Sequence, residues 1–419
     1  FELGGDYLND PGAEMHRLEL INAVKGAGVR VMTRTTAFGL YDHGVAGLLE
    51  KVTDHLANPD PELPRQRFWT VRAAATILAT GALERSIAFE NNDRPGVMTA
   101  AAARSYLNRY GILPGKKIVI STTNDSVYAA AAELATAGAE VIVADIREET
   151  GVGLPDGVTV LNGAAPLRAL GRSSVKGVDT AKHTNGSWVP VGKEACDLLL
   201  VSGGWSPVVN LSSHRGAKPV WNAEQACFLP GITSEPIFHS GSSAGIWNRE
   251  DCEVSGERAA RQAIGENEKS LQPGGWKTPI RPLYEVRLPN HNTKAFVDFQ
   301  HDVTGDDVRL AQQEGFVSVE HLKRYTTLGM ATDQGKMGNV IGLALMADAL
   351  GKDIPDVGTT RFRPPYTPVA IGALAGRNVA AHFKPLRRTP LHDWNLRHGA
   401  TMTEAGLWHR PWYFARDGE

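Results

Sequence analysis

The residues best suited to chemistry lie in "EHLKRYTTLGMATDQGK", positions 320 to 336, where Lys323, Arg324, Thr326, Thr327 and Lys336 surround glycines and an Asp-Gln-Gly turn. Cationic side chains, adjacent hydroxyls and glycine-exposed amides together suit a phosphate. The same letters describe a helix that ends in basic residues before a glycine stop, and the local sequence leaves both readings open. Two small-residue elements point to another ligand. "ATG" at 79–81 and "GSSAG" at 241–245 each follow a short apolar run. Small residues at strand ends let a dinucleotide lie against the backbone, although tight helix–strand packing asks for the same residues.

Asp145 is a fourth candidate, because it ends a strand where a ribose-binding acid would stand. The preceding loop, "STTNDS", has no GxGxxG, so the backbone cannot approach a pyrophosphate closely, and Asp125 would repel one. A helix N-cap explains Asp125 equally well. This half of the chain is therefore read as lacking a dinucleotide. The thirteen histidines do not cluster at metal spacing, and Cys196, Cys227 and Cys252 form no CxxC pair, so neither a metal nor a dithiol centre is expected.

The elements that must position these residues read as α/β. "AEMHRLELINAVKGAG" has helical spacing of Leu18, Ile21 and Val24, and "VRVMTRTTAFGLYD" alternates as a strand. "DHLANPDPELPRQRFWTVRA" predicts a hairpin with a Pro-rich tip, and "AAATILATGALERS" a buried strand ending in the ATG element. "KKIVIST", "SVYAAAAELATAG" and "AEVIVADIRE" have the spacing of a parallel strand–helix–strand crossover. Asn185-Gly186 predicts a hairpin turn, residues 270 to about 295 a Pro-rich linker, and "KAFVDFQHDV" to "GRNVAAHF" a further α/β segment.

With 419 residues, 42% hydrophobic and 21% charged positions and a net charge of -2, the chain has ordinary globular composition. Near-neutral charge gives no support for nucleic-acid binding or for a basic membrane surface. No apolar run approaches the roughly 18 residues of a spanning helix, so a soluble chain without a membrane partner is expected. It begins at Phe1 without a signal-peptide pattern and stops within an aromatic-rich stretch, which reads as an excerpt of a longer polypeptide.

Several long stretches carry a family resemblance: "LATGALERSIAFENNDRPGVM", "TNDSVYAAAAELATAGAEVIVADIR", "SGGWSPVVNL", "KAFVDFQHDVTGDDVRLA", "GFVSVEHLKRYTTLGMATDQGK" and "GTTRFRPPYTPVAIGALAGR". They resemble the alpha subunit of heterotetrameric sarcosine oxidase. The tail "RRTPLHDWNLRHGATMTEAGLWHRPWYF" is similar to the entry of its aminomethyltransferase-like, folate-binding domain.

The resemblance implies a two-dinucleotide-binding-domain fold of the FAD/NAD(P) Rossmann-like type, followed by a linker α/β segment and the start of the folate domain. The implied boundaries are 1–113 and 236–275 for the NAD domain, 114–235 for a second Rossmann-like domain, 276–384 for a linker or interface domain, and 385–419 for the folate-domain start. It implies a cytoplasmic complex with beta, gamma and delta subunits. That complex oxidises sarcosine to glycine, yields hydrogen peroxide and, with tetrahydrofolate, forms methylenetetrahydrofolate.

In this chain NAD would be held near Gly5, Asp6, Ala37, Gly81, Gly241 and Ile246, while FMN and FAD sit in the partner beta subunit. Asn248 stands where the family varies, and Ser242 replaces the Asp found after the corresponding glycine of many related flavoproteins. Lys323, Arg324, Thr326, Thr327 and Lys336 then become candidates to meet the FMN phosphate or an acidic partner surface. The alternatives are a subunit of a related amine, opine or proline oxidase, and a stand-alone FAD-dependent pyridine-nucleotide oxidoreductase. Against the last stand the missing CxxC and the missing second glycine loop.

Overall fold

The computed structural model describes residues 2–288, 294–360, 362–379 and 382–416. Packing divides the chain into one unit of Phe1–Leu48 with Thr70–Pro368 and a second of Leu49–Trp69 with Val369–Glu419.

The first unit opens with helix α1 (Glu14–Gly26) and strand β1 (Thr35–Tyr41). The predicted hairpin forms as β2 (Val45–Lys51) and β3 (Gln66–Arg72), its outer part belonging to the second unit. Short strands β4 (Thr76–Leu78), β5 (Ala82–Glu84) and β6 (Val97–Thr99) lead to helix α2 (Ala100–Tyr110). The crossover follows as β7 (Lys117–Thr122), α3 (Val127–Thr136) and β8 (Glu140–Asp145). Helix α3 buries Val127, Tyr128, Ala130, Ala131 and Leu134 on the sheet. The chain leaves it through Gly138 at φ 99, a conformation glycine adopts at little cost.

Strand β9 (Val158–Asn162) adds to the same sheet, and β10 (Ala164–Leu170), β11 (Gly177–Thr184) and β12 (Ser187–Glu194) form an antiparallel one. Asn185 and Gly186, at φ 51 and 79, make the predicted two-residue turn between β11 and β12. Strand β13 (Leu198–Ser202) then returns to give a five-stranded parallel sheet in the order β6-β13-β7-β8-β9. Its central strands are near-continuous apolar runs because both faces are covered; Ile118, Ile120, Leu199 and Leu200 are all at most 1% exposed.

Strand β14 (Trp205–Pro207) pairs antiparallel with β5, and short helix α4 (Asn210–Ser213) follows. After the hairpin β15 (Val220–Asn222) and β16 (Cys227–Leu229), strand β17 (Ile237–His239) runs parallel to β4 and feeds helix α5 (Arg249–Ala263). The Pro-rich stretch after α5 is a packed strap: Leu283 and Val286 are buried in the core with Ile87 and Phe89. Strands β18 (Phe296–Asp298) and β19 (Val303–Thr304) and helices α6 (Gly305–Gln313), α7 (Val319–Thr326) and α8 (Asn339–Leu350) build a separate core around Leu322, Leu328 and Met346. A reciprocal capping box of Thr304 and Asp307 starts α6.

The second unit contains α9 (Ile371–Ala375), β20 (Arg387–Arg388), α10 (His392–Arg397), β21 (Ala400–Ala405) and β22 (Trp408–Phe414), its strands ordered β20-β22-β21. Trp394 stacks on His398 with ring centroids 3.9 Å apart. Among the described residues no helix is long and apolar enough to cross a membrane, and no group of three or more His, Cys, Asp or Glu is placed to hold a metal.

Candidate functional site

The parallel pairing of β4 with β17 sets Leu78 opposite His239, so the ATG element and the GSSAG loop leave neighbouring strand ends. The loop is pinned there. Ser240 N–H donates to Leu78 C=O at 3.1 Å, and Ser243 Oγ to the same oxygen at 2.7 Å. Gly81 has φ 76, and a Cβ built on it would meet nothing nearer than Ser242 Oγ at 3.9 Å. Gly241 has φ 64 and donates its N–H to Ser255 Oγ. Two glycine backbones thus flank an open edge beside the first turn of α5, a geometry suited to a dinucleotide backbone.

Ile246 is 2% exposed and its N–H donates to Gly241 C=O, so it is part of the buried frame of the loop. Gly5 and Asp6 open a short 3-10 turn that sits on α2, where Asp6 pairs with Arg104 at 3.3 Å. The same segment reaches α5, because Tyr7 donates to Glu253 and Arg249 pairs with Asp10 at 2.6 Å. Ala37 on β1 packs beside the cluster of Leu40, Leu78 and Val208.

The second crevice, at the end of β7 and β8, is filled by side chains. Asp145 is fully buried and accepts from Arg147 Nε and Nη2 at 2.9 and 2.8 Å, from Arg147 N–H, and from Tyr128 Oη at 2.9 Å. Those contacts occupy both carboxylate oxygens and leave none for a ribose. Burial pulls the Arg147 guanidinium down, but Asp145 and Asp125 more than offset this and hold it above its ordinary range. Burial, then the Asp145 charge, pushes Tyr128 up to about 12.

The N-cap reading of Asp125 is corrected here: its carboxylate pairs with Arg147 at 2.7 Å and accepts from Thr278 N–H at 2.9 Å. Ser126 N–H is taken by Asn124 Oδ1 instead. Arg281 of the strap donates to Ile146 C=O and Thr123 C=O, which closes the edge.

In the 320–336 stretch, Lys323 and Arg324 lie in the last turn of α7, and Thr327 ends the helix at φ 63. Burial pulls the half-buried Lys323 ammonium down, and Arg363 adds to the effect. Thr326 Oγ1 donates to Leu322 C=O at 2.8 Å and Thr327 Oγ1 to Thr326 C=O at 2.6 Å, so both hydroxyl protons are used by the helix end. Lys336 lies beyond the Gly329–Gly335 turn, where it donates to Tyr366 C=O at 3.1 Å and sits 4.0 Å from the Tyr366 ring centroid. Lys323 and Arg324 share one helix end; Lys336 serves a different cleft.

That cleft escaped the sequence reading. Its polar lining includes Ser206, Asn210 and Lys336, with fully buried Arg85 behind it. "GALERS" carries no local sign that its arginine points inward.

The parallel sheet beside the β4–β17 strand ends belongs to a mixed α/β fold of the FAD/NAD(P) Rossmann-like type. L-proline dehydrogenase from P. horikoshii shares it, with a TM-score of 0.67, 19% identity, and coverage of 89% of this chain and 72% of that one. Sequence narrows the class. The sarcosine oxidase A3 domain matches residues 292–377. Sarcosine oxidase subunit alpha of Rhizobium meliloti (strain 1021) is 42% identical over 401 residues, and that of Corynebacterium sp. (strain U-96) 40% over 409. Each alignment covers 93% of this chain but only 40% and 42% of those proteins, respectively. Over the stretch they share, the chain is a homologue of sarcosine oxidase alpha subunits.

Proposed function

We propose that this chain is part of the alpha subunit of a sarcosine oxidase. Such a complex takes sarcosine to glycine, reduces oxygen to hydrogen peroxide and, with tetrahydrofolate, yields methylenetetrahydrofolate. The chain holds NAD at the β4 and β17 ends and borders the FMN of a beta subunit that also carries FAD; gamma and delta subunits complete a cytoplasmic heterotetramer. The folate site belongs to the domain that begins near residue 385.

The observation that carries the NAD assignment is the contrast between the two crevices. Gly81 and Gly241 leave an open backbone edge, whereas Arg147 fills the other site. The residues fit a nucleotide at the first edge. Gly81 and Gly241 let it approach, and Asp6 and Ala37 lie on elements packed beside that region. NAD would supply a bound pyridine nucleotide there. This chain's residues bind and orient it, and the amine-oxidising chemistry rests with the partner's flavins. Lys323 and Arg324, with the Thr326–Thr327 helix end, form the basic stretch turned to the FMN phosphate or the partner's acidic surface.

Nucleotide analysis of the denatured, purified complex tests the reading. About one NAD per complex is expected, strongly reduced in Gly81→Val, with the Arg147→Met variant retaining it. Absence of NAD from the wild-type complex, or its retention in Gly81→Val together with loss in Arg147→Met, refutes the assignment.

A further inference from the structure

The cleft beside Lys336 is a small hollow of ≈ 60 Å³ with apolar walls that include Leu83 and Phe362. Strand pairing sets Ser206 opposite Leu83, and both line it. Behind Ser206 lies Arg85, 1% exposed. Its guanidinium donates to Trp205 C=O at 3.0 Å, Ser206 Oγ at 3.2 Å and Gly203 C=O at 3.2 Å, and Nε has no partner. Among the described residues no carboxylate pairs with it. The ionisable groups in its field are Cys227, which burial pushes up to about 12, and Tyr284, which burial also raises, so both are neutral near pH 7. Gly204 is built around this cation, since a Cβ there would lie 2.4 Å from Nη2.

A buried cation without a counter-ion is costly unless an anion completes it. The cleft offers three donors for one. Ser206 Oγ accepts from Arg85, which leaves its proton free for a further acceptor. Asn210 lines the cleft, is 3% exposed, and its Nδ2 has no hydrogen-bond partner. Lys336 brings a second positive charge. Asp333 lies in its field but forms no ion pair with it among the described residues.

We propose that this cleft binds a small organic monocarboxylate. The carboxylate meets Ser206, Asn210 and Lys336 in the field of Arg85, and a short apolar body lies between the aliphatic and aromatic walls. A phosphate would match the charge but leave those walls uncovered. The site is separate from the strand-end glycines assigned to NAD and does not depend on that assignment.

Calorimetric titration of the complete complex, with turnover not read, tests it using propionate, its neutral isostere propionamide, and inorganic phosphate. Saturable propionate binding in the millimolar range is expected, with propionamide and phosphate each at least tenfold weaker. Lys336→Gln and Ser206→Ala should each weaken propionate at least fivefold while leaving NAD content unchanged. Should Lys336→Gln fail to fold, Ser206→Ala decides. No propionate binding, equal binding of propionamide, tighter binding of phosphate, or wild-type propionate affinity in Ser206→Ala overturns the proposal.

Discussion

Glu84 offers a stability test that the structure quantifies. The side chain is 6% exposed, and Oε2 accepts from Ala101 N–H at 2.7 Å near the start of α2. Burial pushes its carboxyl up to about 7; hydrogen bonds from Ser202, Ala101 and Thr99 offset only part of that effect. In the unfolded chain the group titrates near 4.5, so between those two values the fold holds a proton that the unfolded chain has released. The stability attributable to Glu84 is therefore fully present below pH 4.5, declines as pH rises towards 7, and is level above that. The difference corresponds to roughly 3 kcal/mol at 1.36 kcal/mol per pKa unit. Glu84→Gln keeps the acceptor for Ala101 and cannot ionise. Urea unfolding followed by far-UV circular dichroism, at steps from pH 5 to pH 8, should show the variant gaining on the wild type as pH rises, by about 2–3 kcal/mol at the upper end. A difference that is flat with pH, or that shrinks as pH rises, would refute the argument that the carboxylate is desolvated in the fold.

Arg147→Met leaves Asp145 buried with half its partners gone, so a loss of about 3–5 kcal/mol is expected in the same unfolding assay; a loss under about 1 kcal/mol would mean that the crevice is not sealed by this pair. Thr304→Ala removes the hydroxyl half of the α6 capping box and should cost about 1 kcal/mol. If the partner's FMN lies against the basic end of α7, replacing Lys323 and Arg324 together with Ala lowers flavin content or assembly of the complex, read by absorbance and size exclusion; unchanged values on both counts remove the stretch from the interface. On the proposed division of labour, the chain produced by itself gives no sarcosine-dependent peroxide, and measurable turnover without other subunits would place the amine chemistry here.

Sequence disclosed the elements whose signals are local. The β7–α3–β8 crossover declared itself through two apolar runs and a glycine stop, and Asn185-Gly186 through the positive φ that its turn requires. The filling of the second strand-end crevice was half visible, since a missing glycine loop can be read, but its plug could not. Arg147 meets Asp125 across 22 residues, and Thr278 meets it across 153. Burial was the other blind spot. Leu18 and Val24 predict a covered face on α1, yet they are 44% and 39% exposed; Arg85, on which the sequence is silent, is 1% exposed. Periodicity records which face of an element is apolar, not what is packed against it, and a charge in an apolar run does not say whether the backbone beyond it will supply carbonyls. The strap after α5 shows the same limit: proline content suggested a free linker, whereas Leu283 and Val286 sit in the core. The residues that fill one strand-end crevice and leave the other open are held by contacts between distant segments, so that difference is made by the tertiary structure and only the candidates are legible in the sequence.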